Sequence, residues 1–418
     1  MSKSIPAALL LAASPLSAAD LSRSAASAVN NLGIDLLVHA AEPQENTALS
    51  PYSIQIALAM TYAGAEGDTR EQMAKVLHYP AKEPDVLSSF AALEKELAEL
   101  TSRTARLATE SRKTGGPSEP ITLTVANRLF GQQGYEFRPA FLALLKRSFG
   151  APLETLDFAK DPPGAAEQIN AWVDKQTRER IRKLIPPDAL TKETRLVLAN
   201  AIYLKAPWAM EFNKNATQPR PFNLAGGESA EVPTMTRQDS FGYARHEGFV
   251  AVGIPYAGGD LQLLILLPDT ATGLPKLESE ITPVLLMDCA RLQSQDIVLF
   301  LPKFKLEPPL FELRSTLEAL GMESAFDVPQ GSANFNGIAP RRPNDYLYIS
   351  DVFHKTFVEV DEKGTEAAAA TAVVMMRATA HFEEKKPLEV RVDRPFLFAI
   401  QHRPSGACVF LGRVVDPR

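Results

Sequence analysis

The stretch VFHKTFVEVDEKGTEAAAATAVVMMRAT, residues 352–379, carries two incompatible local preferences. It opens with the β-branched and aromatic residues of a strand (Val352, Phe353, Thr356, Phe357, Val358, Val360) and then passes through Gly364. Four consecutive alanines follow, Ala367, Ala368, Ala369 and Ala370, which propensity reads as a helix leading into a linker. Read instead as a strand, side chains alternate between faces. Thr365, Ala367, Ala369, Thr371, Val373 and Met375 then share one face, and Glu366, Ala368, Ala370 and Ala372 the other. Small residues on both faces suit a strand that slides between others without clashing, and Gly364 gives a permissive hinge. The segment therefore has two candidate states, loop and strand.

Further strands are predicted at ITLTVANRLF (121–130), LVLANAIYLK (196–205), LQLLILLP (261–268), IVLFLPKF (297–304), PFLFAI (395–400) and CVFLGRVV (408–415). In the second of these, Leu198, Asn200, Ile202 and Leu204 share an apolar face. An amide there must find partners or cost about 1–3 kcal/mol. His354 sits similarly, on a face with Val352, Thr356, Val358 and Val360. Each residue alone reads as a satisfied core polar group. Together they predict a buried polar cluster between two strands, of the kind that holds a sheet in one arrangement.

Helices dominate the first half. Ser50 followed by Pro51 reads as an N-cap with proline in the first turn. Thr69 and Gln72 have capping-box spacing. Leu87, Phe90, Leu93, Leu97 and Leu100 recur at helical spacing, and Pro139 and Gly150 bracket another helix. Ile169, Trp172, Val173, Ile181 and Leu184 form a stripe stopped by Pro186 and Pro187, a short helical pattern covers 311–320, and SRKTGGPSEP (111–120) reads as a loop. There is no internal repeat, so 20–418 reads as one α+β domain.

With 45% hydrophobic and 22% charged residues the 418-residue chain has material for a large core, and its net charge of −6 and lack of clustered basic residues argue against nucleic acid. No apolar run is long enough to span a membrane. The two cysteines, Cys289 and Cys408, offer no metal-ligand spacing and no strong case for pairing. Residues 1–19 have a lysine, a short apolar stretch and Ser17-Ala18-Ala19 before Asp20, the outline of a signal peptide. A secreted or periplasmic location is therefore expected, with a cytoplasmic protein bearing an N-terminal tail as the other reading.

No GxSxG, HExxH or glycine-rich phosphate loop occurs, so no catalytic residue, metal or cofactor is expected. Asn215-Ala216-Thr217 matches the short glycosylation acceptor pattern. Arg103, Arg106, Arg112 and Lys113 read as a solvated helix face, with a polyanion site as the alternative.

At this point NTALSPYSIQIALAMTYAGAEGDTREQM (46–73), LVLANAIYLKAPW (196–208), FHKTFVEVDEKGTEAAAATA (353–372), DRPFLFAI (393–400) and VFLGRVVDP (409–417) stand in one order. That order resembles the serpin family from about Asp20 to Arg418. The resemblance implies three β-sheets, eight or nine helices and an exposed reactive-centre loop, here about 362–392. It also implies a suicide-type inhibitor of serine proteases. The protease attacks the loop and forms an acyl-enzyme, and the cleaved loop inserts into the central sheet before hydrolysis is complete. A strand of roughly 14 residues spans nearly 50 Å, at about 3.3 Å per residue, and the starting fold must be metastable.

By position, the resemblance gives hinge roles to Glu362, Gly364, Thr365, Glu366, Ala367, Ala368, Ala369 and Ala370. Ser50, Ser53, Asn200 and His354 become a shutter that controls sheet opening. Trp208 and Lys303 fall at the breach where insertion begins, with a Lys303–Glu362 salt bridge that contributes about 0–1 kcal/mol if exposed. Counting from the hinge puts the scissile bond at Ala378-Thr379, favouring elastase-like or subtilisin-like targets. A shift of one residue puts Arg377 in the key position and a trypsin-like enzyme in view, and a further shift puts a methionine there. A cysteine-protease target is also open. The inhibitor is expected to act as a monomer, and the alternative is a non-inhibitory serpin acting as a binding, storage or chaperone-type protein.

Overall fold

The computed structural model describes residues 17–39, 43–79, 86–114, 119–365 and 386–418, with the side chains of 112–114 excepted. Most of the candidate leader, Glu366 to Ala370 of the candidate hinge, and Arg377, Ala378 and Thr379 lie outside the described residues.

The segment after Ser50 explains how the core is organised. The helix Pro51–Tyr62 has no charged residue, and all twelve of its residues are buried. A helix apolar all round has to run through the interior, and this one lies under a central sheet. Its buried polar Gln55 is satisfied by donating to the carbonyls of Ala28 and Leu77 and accepting from the Tyr79 hydroxyl.

Two strands form the centre of that sheet. Thr122–Gln132 and Leu196–Pro207 pair antiparallel over ten positions, from Thr122 opposite Lys205 to Gly131 opposite Leu196. The alternation read in the sequence holds along the second strand. Leu198, Ile202, Leu204 and Ala206 join the main core, whereas Val197, Ala199 and Ala201 join a second cluster on the opposite face. Ile169 and Val173 of the helix Pro162–Gln176 belong to that second cluster, with Phe353 and Phe357.

Eight strands make up this central sheet, and the nine others form a second hydrogen-bonded network. Two of the three expected sheets are continuous in it, because Ser229–His246 is eighteen residues long and serves both. Its start pairs with Gln218–Asn223, its middle with Gln293–Pro302 and its end with Phe249–Pro255. Nine α-helices lie among the described residues.

Local signals gave mixed returns. Ser50 caps as expected, its hydroxyl accepting from the Ser53 amide, and Gly150 closes the helix Pro139–Phe149 in a left-handed conformation. Thr69 and Gln72 do not form a capping box, because the helix starts earlier, at Gly67. They reach out instead, Thr69 accepting from the Asn334 amide and Gln72 from that of Ser324. The helix Pro162–Gln176 ends ten residues before the prolines expected to stop it (186 − 176 = 10), and the hydroxyl of its cap Thr177 accepts from the Ile181 amide. The helix Val86–Thr114 runs into the segment read as a loop. In 311–320, two strand residues precede the helix Arg314–Ala319. The helix Ala18–His39 starts within the candidate cleavage site, with the hydroxyl of Ser17 2.6 Å from the carboxylate of Asp20. Cys289 and Cys408 are buried free thiols.

Candidate functional site

At its lower end the strand Leu196–Pro207 pairs in parallel with Val352–Lys355, from Val352 opposite Leu198 to Lys355 opposite Ala201. Above Lys355 the two strands part. Past Thr356 and Phe357 the second strand resumes as Val358–Asp361, and at the top the two-residue strand Gly364–Thr365 lies between it and Leu196–Pro207, Gly364 opposite Pro207 and Asp361, and Thr365 opposite Ala206 and Val360. The sheet is thus closed at one end and wedged at the other by the residues that precede the alanine run.

The closed end is held by polar side chains. His354 stands opposite Asn200, which stands opposite Asn127 on the far strand. His354 Nε2 accepts from the Ser50 amide at 3.0 Å, so Nδ1 carries the proton and donates to Asn200 Oδ1 at 2.5 Å. The same oxygen accepts from the Ser53 hydroxyl at 3.1 Å, and the Asn200 amide group donates to Asn127. Asn127 in turn donates to the Ser53 carbonyl, and the Ser50 hydroxyl donates to the carbonyl of Val409. Every one of these side chains is buried. The predicted cluster therefore exists, and it ties the helix Pro51–Tyr62 to both strands of the seam. Burial pushes the His354 pKa from 6.5 down to about 3, so the ring is neutral.

The wedged end is built around Trp208, which is fully buried. Its indole donates to the Asp361 carbonyl at 2.8 Å and its backbone amide to the Lys363 carbonyl at 2.9 Å. The Asp361 carboxylate accepts from the amides of Lys363 and Gly364, closing a tight turn. Gly364 has φ +152°, and a Cβ there would fall 2.1 Å from the Ala206 carbonyl oxygen. Only glycine allows that approach. Lys303 and Glu362 form the expected ion pair at 2.9 Å. It is not an exposed one, because the Glu362 side chain is only 5% accessible while that of Lys303 is 37% accessible. Burial raises the Glu362 pKa, but hydrogen bonds from Lys303 and Thr217 outweigh it and hold the carboxyl below its usual range.

The family model described as serpin, serine protease inhibitor, matches residues 27–417. This chain is a serpin.

It is 38% identical over 395 residues to a leukocyte elastase inhibitor of Bos taurus, covering 92% of this chain and 97% of that one. Uncleaved ovalbumin is similar at a TM-score of 0.77 and 29% identity, covering 95% of this serpin and all of that chain. Cleaved Serpin 42Da is similar at 0.78 and 30% identity, again over 95% of this serpin and all of that chain. An uncleaved and a cleaved relative thus match almost equally, so overall shape does not report the state of the sheet. The two-residue wedge does. As a serpin the chain is a serine protease inhibitor and not an enzyme.

Among the residues marked in the sequence, Ser50, Ser53, Asn200 and His354 meet at the closed end, and Glu362, Gly364, Thr365, Trp208 and Lys303 meet at the wedged end. Sequence reading missed Asn127, Thr217 and Tyr256. Asn127 is an amide inside a predicted strand, and that same signal marked Asn200. The other two leave no local signal. Arg103 of the basic set is paired with Asp260 at 2.6 Å.

Proposed function

We propose that this serpin is a monomeric, single-use trap for an elastase-like serine protease, and that the wedge is where the trap starts. The observation that carries the reading is Gly364 and Thr365 seated between two strands that remain joined only lower down. Under this reading Glu362, Gly364, Thr365, Glu366 and Ala367 to Ala370 are the hinge, Trp208 and Lys303 the breach, and Ser50, Ser53, Asn200 and His354 the shutter.

The register states what insertion would do. Thr365 lies opposite Ala206 and Val360, and each further residue moves one step down both strands. Six steps bring Thr371 between Asn200 and His354 (365 + 6 = 371; 206 − 6 = 200; 360 − 6 = 354). An inserting strand must therefore break the 2.5 Å contact between those two side chains. Since directly opposed residues share a face, Ala367, Ala369, Thr371 and Val373 would follow Thr365 toward the main core. The small-residue alternation fits that route.

The pairing balance favours insertion. It would cost the four residue pairs between Val352–Lys355 and 198–201. Residues 366–373, eight in all (373 − 366 + 1), would each gain a partner on both sides. At about 0.5–1.5 kcal/mol per net hydrogen bond, the form with the loop outside the sheet is held by a barrier rather than by the lowest free energy. Strand addition of this kind takes its affinity from main-chain hydrogen bonds made within the inhibitor, not from contacts with the protease. Target choice then rests on the scissile bond, which we place at Ala378-Thr379, where a small side chain suits an elastase-like pocket. Export is part of the reading, checked by whether the mature chain begins at Asp20.

The test is to mix the protein with neutrophil-type elastase, run a denaturing gel and weigh the released peptide. A band at the summed mass with a fragment beginning at Thr379 supports both trap and register. A fragment beginning at Ala378 moves the bond to Arg377. Complete cleavage with no covalent band counts against the trap and favours a non-inhibitory serpin.

A further inference from the structure

The residue that touches the wedge from below is Tyr256, just past the strand Phe249–Pro255 and fully buried. Its ring stacks on Trp208, centroids 4.5 Å apart and planes 6° apart, and the two residues bridge through their backbones. Its hydroxyl lies 2.5 Å from the Thr365 hydroxyl, which is itself 1% accessible. Were Thr365 to leave the sheet, the Tyr256 hydroxyl would be stranded in a dry site, which is costly. The seat is thus fitted to two consecutive residues. Glycine is required where the backbone meets Ala206, and a hydroxyl where Tyr256 waits.

We infer that Tyr256 is a positioning residue for protease trapping, whose hydroxyl keeps Thr365 seated so that insertion starts from two residues already paired on both sides. The inference rests on the trap reading above. Trapping is a race between insertion and hydrolysis of the acyl-enzyme. The first pairs of an inserting strand are the hardest to form, because they order the chain before later contacts repay that cost. Holding those pairs in advance shifts the race toward the covalent complex. Trp208 fixes the turn at 361–363 through its two hydrogen bonds, so the stacked ring of Tyr256 meets Thr365 in a fixed place.

The experiment compares wild type, Tyr256→Phe, Thr365→Val and the double variant. Each is mixed with neutrophil-type elastase, and the ratio of cleaved to covalently complexed chain is measured beside the thermal midpoint. That ratio does not depend on how fast the loop is attacked, and a merely structural role would move the midpoint alone. Each single variant strands one buried hydroxyl, whereas the double removes both partners, a change that can be nearly neutral. Either single variant is expected to raise the ratio about fivefold, the order of one lost hydrogen bond, and the double to return it to near the wild-type value. An unchanged or lower ratio in Tyr256→Phe, or a double variant no better than the singles, overturns the role of Tyr256. A wild type that is cleaved without any covalent complex overturns instead the trap on which the role rests.

Discussion

His354 and Asn200 stand directly opposite one another on two parallel strands, joined by a 2.5 Å contact from Nδ1 to Oδ1 inside a fully buried site. Under the insertion proposed above, Thr371 would arrive between this same pair. On that proposal the side chains that hold the seam closed are also the ones that insertion has to separate.

Asn200→Ala removes the acceptor shared by Ser53 and His354 and the donor to Asn127. Leaving buried groups unpaired costs about 1–3 kcal/mol each. The variant is expected to unfold at clearly lower urea concentration and to form chains by loop insertion between molecules on warming. Urea midpoints and native gels check both.

Stability should fall as the solution is acidified below neutral. Burial holds His354 at about 3 in the fold, and burial with the charge of Arg103 holds His402 at about 4. In the unfolded chain both take a proton near 6.5. Between those values the unfolded state binds more protons, so stability rises with pH across the window. It is complete above about 6.5 and lost as pH drops toward 3–4. Glu94 and Asp351, held above their usual range by burial, work in the opposite direction and blunt the effect. Urea midpoints at pH 7.5 and pH 5 should differ in this sense, and His354→Gln should flatten the slope.

Thr371→Glu tests the register. A carboxylate arriving between Asn200 and His354 would be buried without a cationic partner, a penalty of several kcal/mol. Elastase is expected to cleave this variant without being trapped, while the intact chain keeps its thermal midpoint. Trapping at the wild-type stoichiometry would sink the register.

Lys303→Ala leaves the Glu362 carboxylate, 5% accessible, with only Thr217 as its side-chain partner. Because Lys303 itself is partly exposed, the loss is smaller than for a fully buried pair, on the order of 1–2 kcal/mol. The thermal midpoint of the intact chain should drop accordingly, and Lys303→Arg should restore most of it.

What the sequence could reveal follows from the range of each interaction. Asn200 and His354 were visible because an amide and an imidazole interrupt apolar faces of period two. Asn127, in a predicted strand, went unremarked because its relation to Asn200 is a cross-strand register, which no local pattern encodes. The strand Ser229–His246 was passed over because its middle is polar and largely accessible, giving little apolar alternation to read. Tyr256 and Thr217 lie at element ends, where chain neighbours say nothing about what is overhead. The Lys303–Glu362 pair was found but its burial was not, since accessibility is set by the turn at 361–363, whose carbonyls accept from Trp208 and from the Phe212 amide.

The most direct test of the sheet-insertion account is a melting curve taken before and after the loop is cleaved. The account predicts that the cleaved chain, its loop now paired on both sides from Thr365 downward, melts at a much higher temperature than the intact one. A cleaved chain that melts where the intact chain does would contradict it.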